Sequence, residues 1–315
     1  MCCDWCPDTA GCPALLEPGP PGGLCHTGRR PGPLAGVEPL NRRAALAGLA
    51  SLGFASRAQA APPDLALAGR FEQGGYAIGR TSPGAHVQLN GALVTHASPE
   101  GFFILGFDRD NLDEVQIRVS NEEGEALHTA AIKRGEFDIQ RISGLASGTV
   151  TPDPAMDARI EAEYLRKQAG FASKWNGDGF KDGFTLPLNS FRVSARYGGQ
   201  RILNGEPRQP HYGIDLAAPT GTPVLAPADG VVSMAESDLL YEGRLILLDH
   251  GQGLITAYLH LSEVAVIRGQ SVKQGEQIGR VGAEGRATGP HLCWRMKWRG
   301  RNMNPMLMVG AKRPA

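Results

Sequence analysis

Three stretches of this 315-residue chain, far apart in sequence, carry side chains able to do chemistry. GPHLCWRMKW, residues 289 to 298, alternates like a strand. His291, Cys293, Arg295 and Lys297 fall on one face; Leu292, Trp294, Met296 and Trp298 fall on the other. The apolar face requires a core, while the other aims an imidazole and a thiol the same way. HYGID sets His211 and Asp215 four apart. Gly213 and the following APTGTP argue against a helix, so the segment reads as extended, with positions 211, 213 and 215 on one face. An imidazole and a carboxylate so placed are usable zinc ligands; a chance pairing is the competing reading. AYLHL brings Tyr258 and His260 to one face and Leu259 and Leu261 to the other, with a satisfied half-buried histidine as the plainer alternative. Three strands each offering an imidazole or thiol point to a metal site more strongly together than singly.

The elements that must position these groups are mainly β. From Leu65 to about Gln140, β-branched and aromatic residues alternate with polar ones, and Pro83-Gly84 and Asn90-Gly91 punctuate them as turns. A small antiparallel β-sandwich-like domain is expected at 61–145. His86, His96 and His128 have no carboxylate at ligand spacing and read as surface strand histidines. A helical linker is expected at 146–175, capped by Asp153, with Pro154 in its first turn and Gly170 at its end. Its apolar stripe is modest: Ile160, Tyr164 and Leu165. In residues 176–315, short β segments alternate with Gly/Pro turns, as in an open antiparallel sheet or a barrel-sandwich hybrid.

The first sixty residues have another texture. Cys2, Cys3, Cys6, Cys12 and Cys25 crowd a Pro/Gly-rich tail whose spacings make no convincing zinc or disulfide frame. Arg42 and Arg43 then precede a short apolar run ending in Ala58-Gln59-Ala60, the small-x-small pattern of signal-peptide cleavage. A signal at 41–60 must be N-terminal to be read, so residues 1–40 are expected to be untranslated or disordered. Translation is then expected to start near Val37, with Ala61 as the expected first mature residue. The paired arginines permit the twin-arginine route, and the general secretory route stays open. No apolar run has membrane-spanning length, so no stable membrane span is expected.

HYGIDLAAPTGTPVLAPADGVV, DHGQGLITAYLHLS, VKQGEQIGRVGAEGRATGPHL and the closing NP resemble, in that order, the LytM/lysostaphin-type zinc endopeptidases of cell-wall peptidoglycan. The resemblance spans roughly residues 190 to 307, and AGRFEQGGYAIGRTSPGA looks like the β-domain often found ahead of such a peptidase. It implies a LytM-type fold at 176–315, Zn2+ as cofactor, and peptidoglycan peptide stems as substrate. The family's H-x-x-x-D ligands land on His211 and Asp215, and its catalytic histidines on His260 and His291. Its third ligand, a histidine, lands on Cys293. A thiolate is a legitimate zinc ligand, with Zn–S about 2.3 Å. With Asp215 also anionic, such a ligand set neutralises the ion, polarises its water less and implies a higher pH optimum. Tyr258 and Asn204, the latter in RILNGEPRQPH, are candidates for substrate contact, with core packing and a plain turn as their alternatives. Asp249-His250-Gly251 reads as a turn builder rather than a ligand set.

Three functions compete. The first is an exported endopeptidase cutting peptidoglycan cross-links in the periplasm of a Gram-negative cell. The second is an inactive LytM-like module that binds and activates a cell-wall amidase; loss of the third ligand histidine is one route to it, although His211, Asp215, His260 and His291 all remain. The third is a non-catalytic wall-binding protein. Formal charge is zero, and no nucleic-acid partner is expected. Residues 65 to 175 carry 11 Lys/Arg against 15 Asp/Glu, and residues 176 to 315 carry 16 against 12. A mildly basic second half fits an anionic polymer, and fits random surface asymmetry equally well.

Overall fold

The alternation between Leu65 and Gln140 resolves into two antiparallel sheets around one core. Strands β1 (Ala66–Arg70), β2 (Tyr76–Arg80) and β5 (Phe102–Gly106) form one, in the order β1-β2-β5. The other takes β3 (His86–Leu89), β4 (Ala92–His96), β6 (Glu114–Asn121) and β7 (Gly124–Ala131) in the order β4-β3-β6-β7. Ile78 and Phe103 from the first sheet meet Val87 and Ile117 from the second, all fully buried in one cluster. Asn90 (φ 53°) and Gly91 (φ 80°) are both left-handed, the backbone that a two-residue hairpin turn between β3 and β4 demands. His86 and His96 face each other across that hairpin on the exposed surface. The computed structural model describes residues 63–111, 113–142, 154–203 and 205–314; the export-type segment at 41–60, the tail before it, Asp153 and Asn204 lie outside the described residues.

The second β region is an open antiparallel sheet. It orders β17 (Ser271–Val272), β14 (Gly230–Leu239), β15 (Gly243–Asp249), β16 (Leu254–Val264), β19 (His291–Trp298), β12 (Gly213–Ala217) and β9 (Arg192–Ala195) from edge to edge. β13 (Pro223–Leu225) pairs with β18 (Gln277–Val281), which also joins β16, and β20 (Arg301–Met303) pairs with β19. A third small sheet sets the hairpin β10 (Gln200–Leu203) and β11 (Glu206–Pro207) beside β8 (Ile139–Ile142), with β8 and β10 parallel. A last short helix, α2 (Pro305–Met308), is capped by the Asn304 side chain, which accepts from Met306 N.

Both faces of the central strands are covered. Leu292, Trp294, Met296 and Trp298 of β19 enter the large core, as do Leu254, Tyr258 and Leu261 of β16. On the opposite face Ile255, Ala257, Leu259 and Cys293 join Met234, Leu245 and Leu247 in a smaller cluster. The face of β19 that holds His291 and Cys293 is therefore not simply polar: Cys293 is fully buried among aliphatic side chains. Helix α1 (Asp157–Phe171) follows a 3-10 turn at Pro154–Met156 and covers that cluster. Phe171 packs on it, and at Gly170 a Cβ would stand 2.8 Å from Leu247 Cδ1. A side chain there would have to push Leu247 aside.

The helix does not use its apolar stripe. Leu165 is exposed, and the buried residues are Glu163, Lys167 and Gly170, at the i, i+4, i+7 spacing of one helical face. The reason is electrostatic. Lys167 Nζ donates to Glu242 Oε1 at 2.7 Å, with both side chains only 4% exposed. Glu163 accepts from Leu240 N at 2.9 Å and from Arg159 Nε at 2.6 Å. The charged face is thus docked onto the β14–β15 turn, while Gly170 and Phe171 at the end of the helix rest on the aliphatic cluster. Lys167→Met should strand the Glu242 carboxylate in the interior and destabilise the protein by about 3–5 kcal/mol in urea unfolding. Lys167→Met/Glu242→Leu, which removes both charges, should recover most of that loss.

Candidate metal centre and the histidines beside it

The site begins with a ladder. β12 and β19 pair antiparallel, setting Asp215 directly opposite Cys293, Ala217 opposite His291 and Gly213 opposite Arg295. Partners in register present their side chains to the same face, so Asp215 and Cys293 necessarily meet. His211 lies in the loop just ahead of β12, and its Nε2 is 3.2 Å from Asp215 Oδ1. One donor atom from each of His211, Asp215 and Cys293 lies within 4.8 Å of the others. Gly213 provides the room: a Cβ there would stand 3.1 Å from Cys293 Sγ and 2.8 Å from Arg295 Cγ.

These residues fit a zinc ion. Nitrogen, oxygen and sulfur donors are the zinc set, and donors around one tetrahedral zinc stand roughly 3–4 Å apart. Both ring nitrogens of His211 are buried; Nδ1 has no hydrogen-bond partner among the described residues, and Nε2 meets only the carboxylate of Asp215, the other candidate ligand, at 3.2 Å. Arg295 Nε donates to Cys293 Sγ at 3.4 Å. Its charge offsets the negative charge that a thiolate brings to the centre. The sequence assigned Arg295 to this face but gave it no role.

Two imidazoles flank the trio. The rings of His260 and His291 are 4.9 Å apart between centroids, and His291 Nε2 is 3.8 Å from Asp215 Oδ1. Each ring is oriented by a carbonyl: His291 Nδ1 meets Gly289 O at 2.8 Å and His260 Nδ1 meets Glu284 O at 2.7 Å. A carbonyl only accepts, so both Nδ1 atoms carry protons, and it is Nε2 of each ring that is left to act at the site. No residue type marks Glu284 or Gly289 for this task, since it is the backbone that acts.

Tyr258 does not share a face with His260. The β16 chain bulges there: Ile246 pairs with Tyr258 and Arg244 with Leu261, so Leu259 and His260 together oppose Leu245. His260 adopts φ 64°, a left-handed backbone costing of order 1–3 kcal/mol in a non-glycine residue. Its N–H donates to Glu242 O at 2.9 Å, which helps hold it there. The bulge swings His260 to the side of His291 and leaves Tyr258 fully buried in the opposite core, its hydroxyl 2.8 Å from Thr256 Oγ1. Burial pushes that phenol up, so it stays neutral, and it has no surface to offer a substrate.

Asp249-His250-Gly251 builds a turn. Asp249 accepts from Gly251 N and from Trp175 N, and His250 lies between Asp229 O and Thr256 Oγ1. Burial pushes the His250 imidazole down to about 4 from its ordinary 6.5. The folded state therefore binds this proton less readily than the unfolded chain. Its contribution is complete above pH 6.5 and is lost as pH falls from 6.5 toward 4, by up to roughly 3 kcal/mol. His250→Gln should flatten that limb, measured as the difference in urea midpoints between pH 7 and pH 4.5 for the two proteins.

A mainly β, open-sheet fold with a His/Asp/Cys centre flanked by two histidines defines a class, and the comparisons name it. Residues 209–305 match the model of peptidase family M23. The chain is 40% identical over 146 residues to the peptidoglycan DD-endopeptidase ShyA of Vibrio cholerae, covering 45% of this chain and 34% of that one. It is 40% identical over 127 residues to the DD-carboxypeptidase/endopeptidase Mpg of Neisseria meningitidis, covering 40% and 29%. The chain thus spans about a third of the length of these curated relatives. The crystal structure of a putative M23 peptidase from Pseudomonas aeruginosa superposes with a TM-score of 0.59 at 26% identity, covering 76% of this chain and 95% of that one. The likeness to peptidase family M23 thus lies in one domain of this chain, residues 209–305.

Proposed function

We propose that this protein is an exported zinc endopeptidase that hydrolyses peptide cross-links of peptidoglycan. One observation carries the reading: donor atoms of His211, Asp215 and Cys293, two of them far apart in sequence from the third, lie within 4.8 Å, with His260 and His291 beside them. The relatives named as peptidoglycan endopeptidases support the substrate class. Export to the periplasm is supported by Arg42-Arg43 and Ala58-Gln59-Ala60, and a reporter fused after residues 37–60 tests it.

His211, Asp215 and Cys293 would hold the ion. Bound zinc supplies a Lewis acid and a water of lowered pKa. His291, with Nδ1 fixed on Gly289 O, presents Nε2 to take a proton from the attacking water. His260, with Nδ1 fixed on Glu284 O, donates from Nε2 when protonated and so steadies the oxyanion of the scissile amide. Approach is from the side of His211 and His291, whose side chains are 12% and 8% exposed, whereas Cys293 and His260 are fully buried.

Zinc per chain in protein purified without added metal should be close to one. Cys293→Ala should abolish it, and Cys293→His should retain it. Cross-linked muropeptides, D,D-linked ones first, should be cut in a chelator-sensitive way, and His291→Ala should lower kcat by about 100-fold or more with zinc still bound. Zinc binding without cleavage at any pH would favour the amidase-activator reading instead.

A further inference from the structure

The segment that delivers His211 is not held by the peptidase sheet alone. At its base the backbone brackets the ligand: Gly198 N donates to His211 O at 2.8 Å, and His211 N donates to Gly199 O at 2.7 Å. Gly198 O in turn accepts from Arg109 Nε at 3.0 Å. Arg109 belongs to the first β region, between β5 and β6, and is 7% exposed. Its guanidinium lies 4.5 Å over the Phe137 ring and pairs with Asp110 at 2.6 Å. Gly198 has φ 80°, and any side chain there would run into the Phe137 ring. A few residues on, β8 adds a parallel strand to the β10–β11 hairpin of the same segment, and Gln200 N donates to Asp138 O at 2.8 Å.

We infer that the N-terminal β region is the positioning scaffold of the metal-ligand loop, acting through Arg109 on Gly198 and hence on His211. Arg109 is a positioning residue: it touches neither donor atoms nor substrate. A buried charge-assisted bond to a backbone carbonyl is a strong tether, and groups that orient a ligand from behind change metal affinity about 10–100-fold. The matched family segment, residues 209–305, contains neither Arg109 nor Gly198, so the device is not part of that pattern. The Pseudomonas aeruginosa structure covers 76% of this chain, more than residues 176–315 can supply, so the likeness reaches into the first β region. The inference rests on the metal reading above for its consequence, but not for its mechanical half.

The test uses the full chain with two readouts: amide hydrogen exchange of residues 197–212 in metal-free protein, and zinc affinity by competition with a chromophoric chelator. Arg109→Met, which keeps the stacking volume over Phe137 and removes the donors, should speed that exchange about tenfold and weaken zinc binding about 10–100-fold. Arg109→Lys should fall between it and the wild type. Met303→Ala opens the same junction against Gly106, where the segment is tied only through Tyr197 Oη donating to Asn302 O at 2.7 Å, and should lower stability while leaving zinc affinity and the exchange of residues 198–212 within about threefold. Unchanged exchange in Arg109→Met, or equal losses in Met303→Ala, overturns the inference. Should the wild type bind no zinc while Arg109→Met still loosens the loop, the metal reading fails and the scaffold stands.

Discussion

The structure depends on one cross-strand pair. Asp215 of β12 and Cys293 of β19 stand opposite each other in an antiparallel ladder, so a carboxylate and a thiol are forced onto one face a few ångströms apart. Everything else near the centre completes or supports that pair. His211 arrives from the loop before β12, Gly213 leaves space for the sulfur, and Arg295 places a cation against it. Two acidic donors facing each other would repel; an ion of charge two between them turns the same register into attraction.

Around this pair the fold spends stability on placement. His260 is held in a left-handed backbone at a bulge, its N–H on Glu242 O and its ring on Glu284 O. Glu242 is itself fixed by Lys167 of α1, so the helix reaches the imidazole through a buried ion pair and one backbone carbonyl. On the other flank, Arg109 and β8 reach His211 through Gly198 and Gly199. The helix and the first β region thus converge on the same centre from opposite ends of the sheet.

How much of this was legible depends on whether period-two alternation held. It held along β19 and β12, so Asp215 and Cys293 could each be set on a strand face, while their union with His211, which lies in the loop before β12, came from the family resemblance. It failed at His260, because a bulge is set by carbonyl partners in distant loops and by a single φ angle, neither of which has a compositional trace. The helix misled for a different reason. Hydrophobic patterning pointed to Ile160, Tyr164 and Leu165, whereas the docked face was Glu163 and Lys167, whose partners lie some seventy residues away. For Cys293 the alternation leaves open a ligand thiol or a small apolar filler, and it sits among Leu259, Leu245 and Ala257, as a sulfur that is both ligand candidate and core atom can. The tie between Arg109 and the His211 loop left no sequence signal, since its acceptor is a glycine carbonyl.

The central claim is that sulfur belongs to the metal's coordination sphere. Zinc K-edge X-ray absorption on the full chain loaded with one equivalent of zinc measures this directly. One sulfur scatterer at about 2.3 Å with nitrogen and oxygen donors near 2.0–2.2 Å is the predicted shell. A shell of nitrogen and oxygen alone, unchanged in Cys293→Ala, would contradict it.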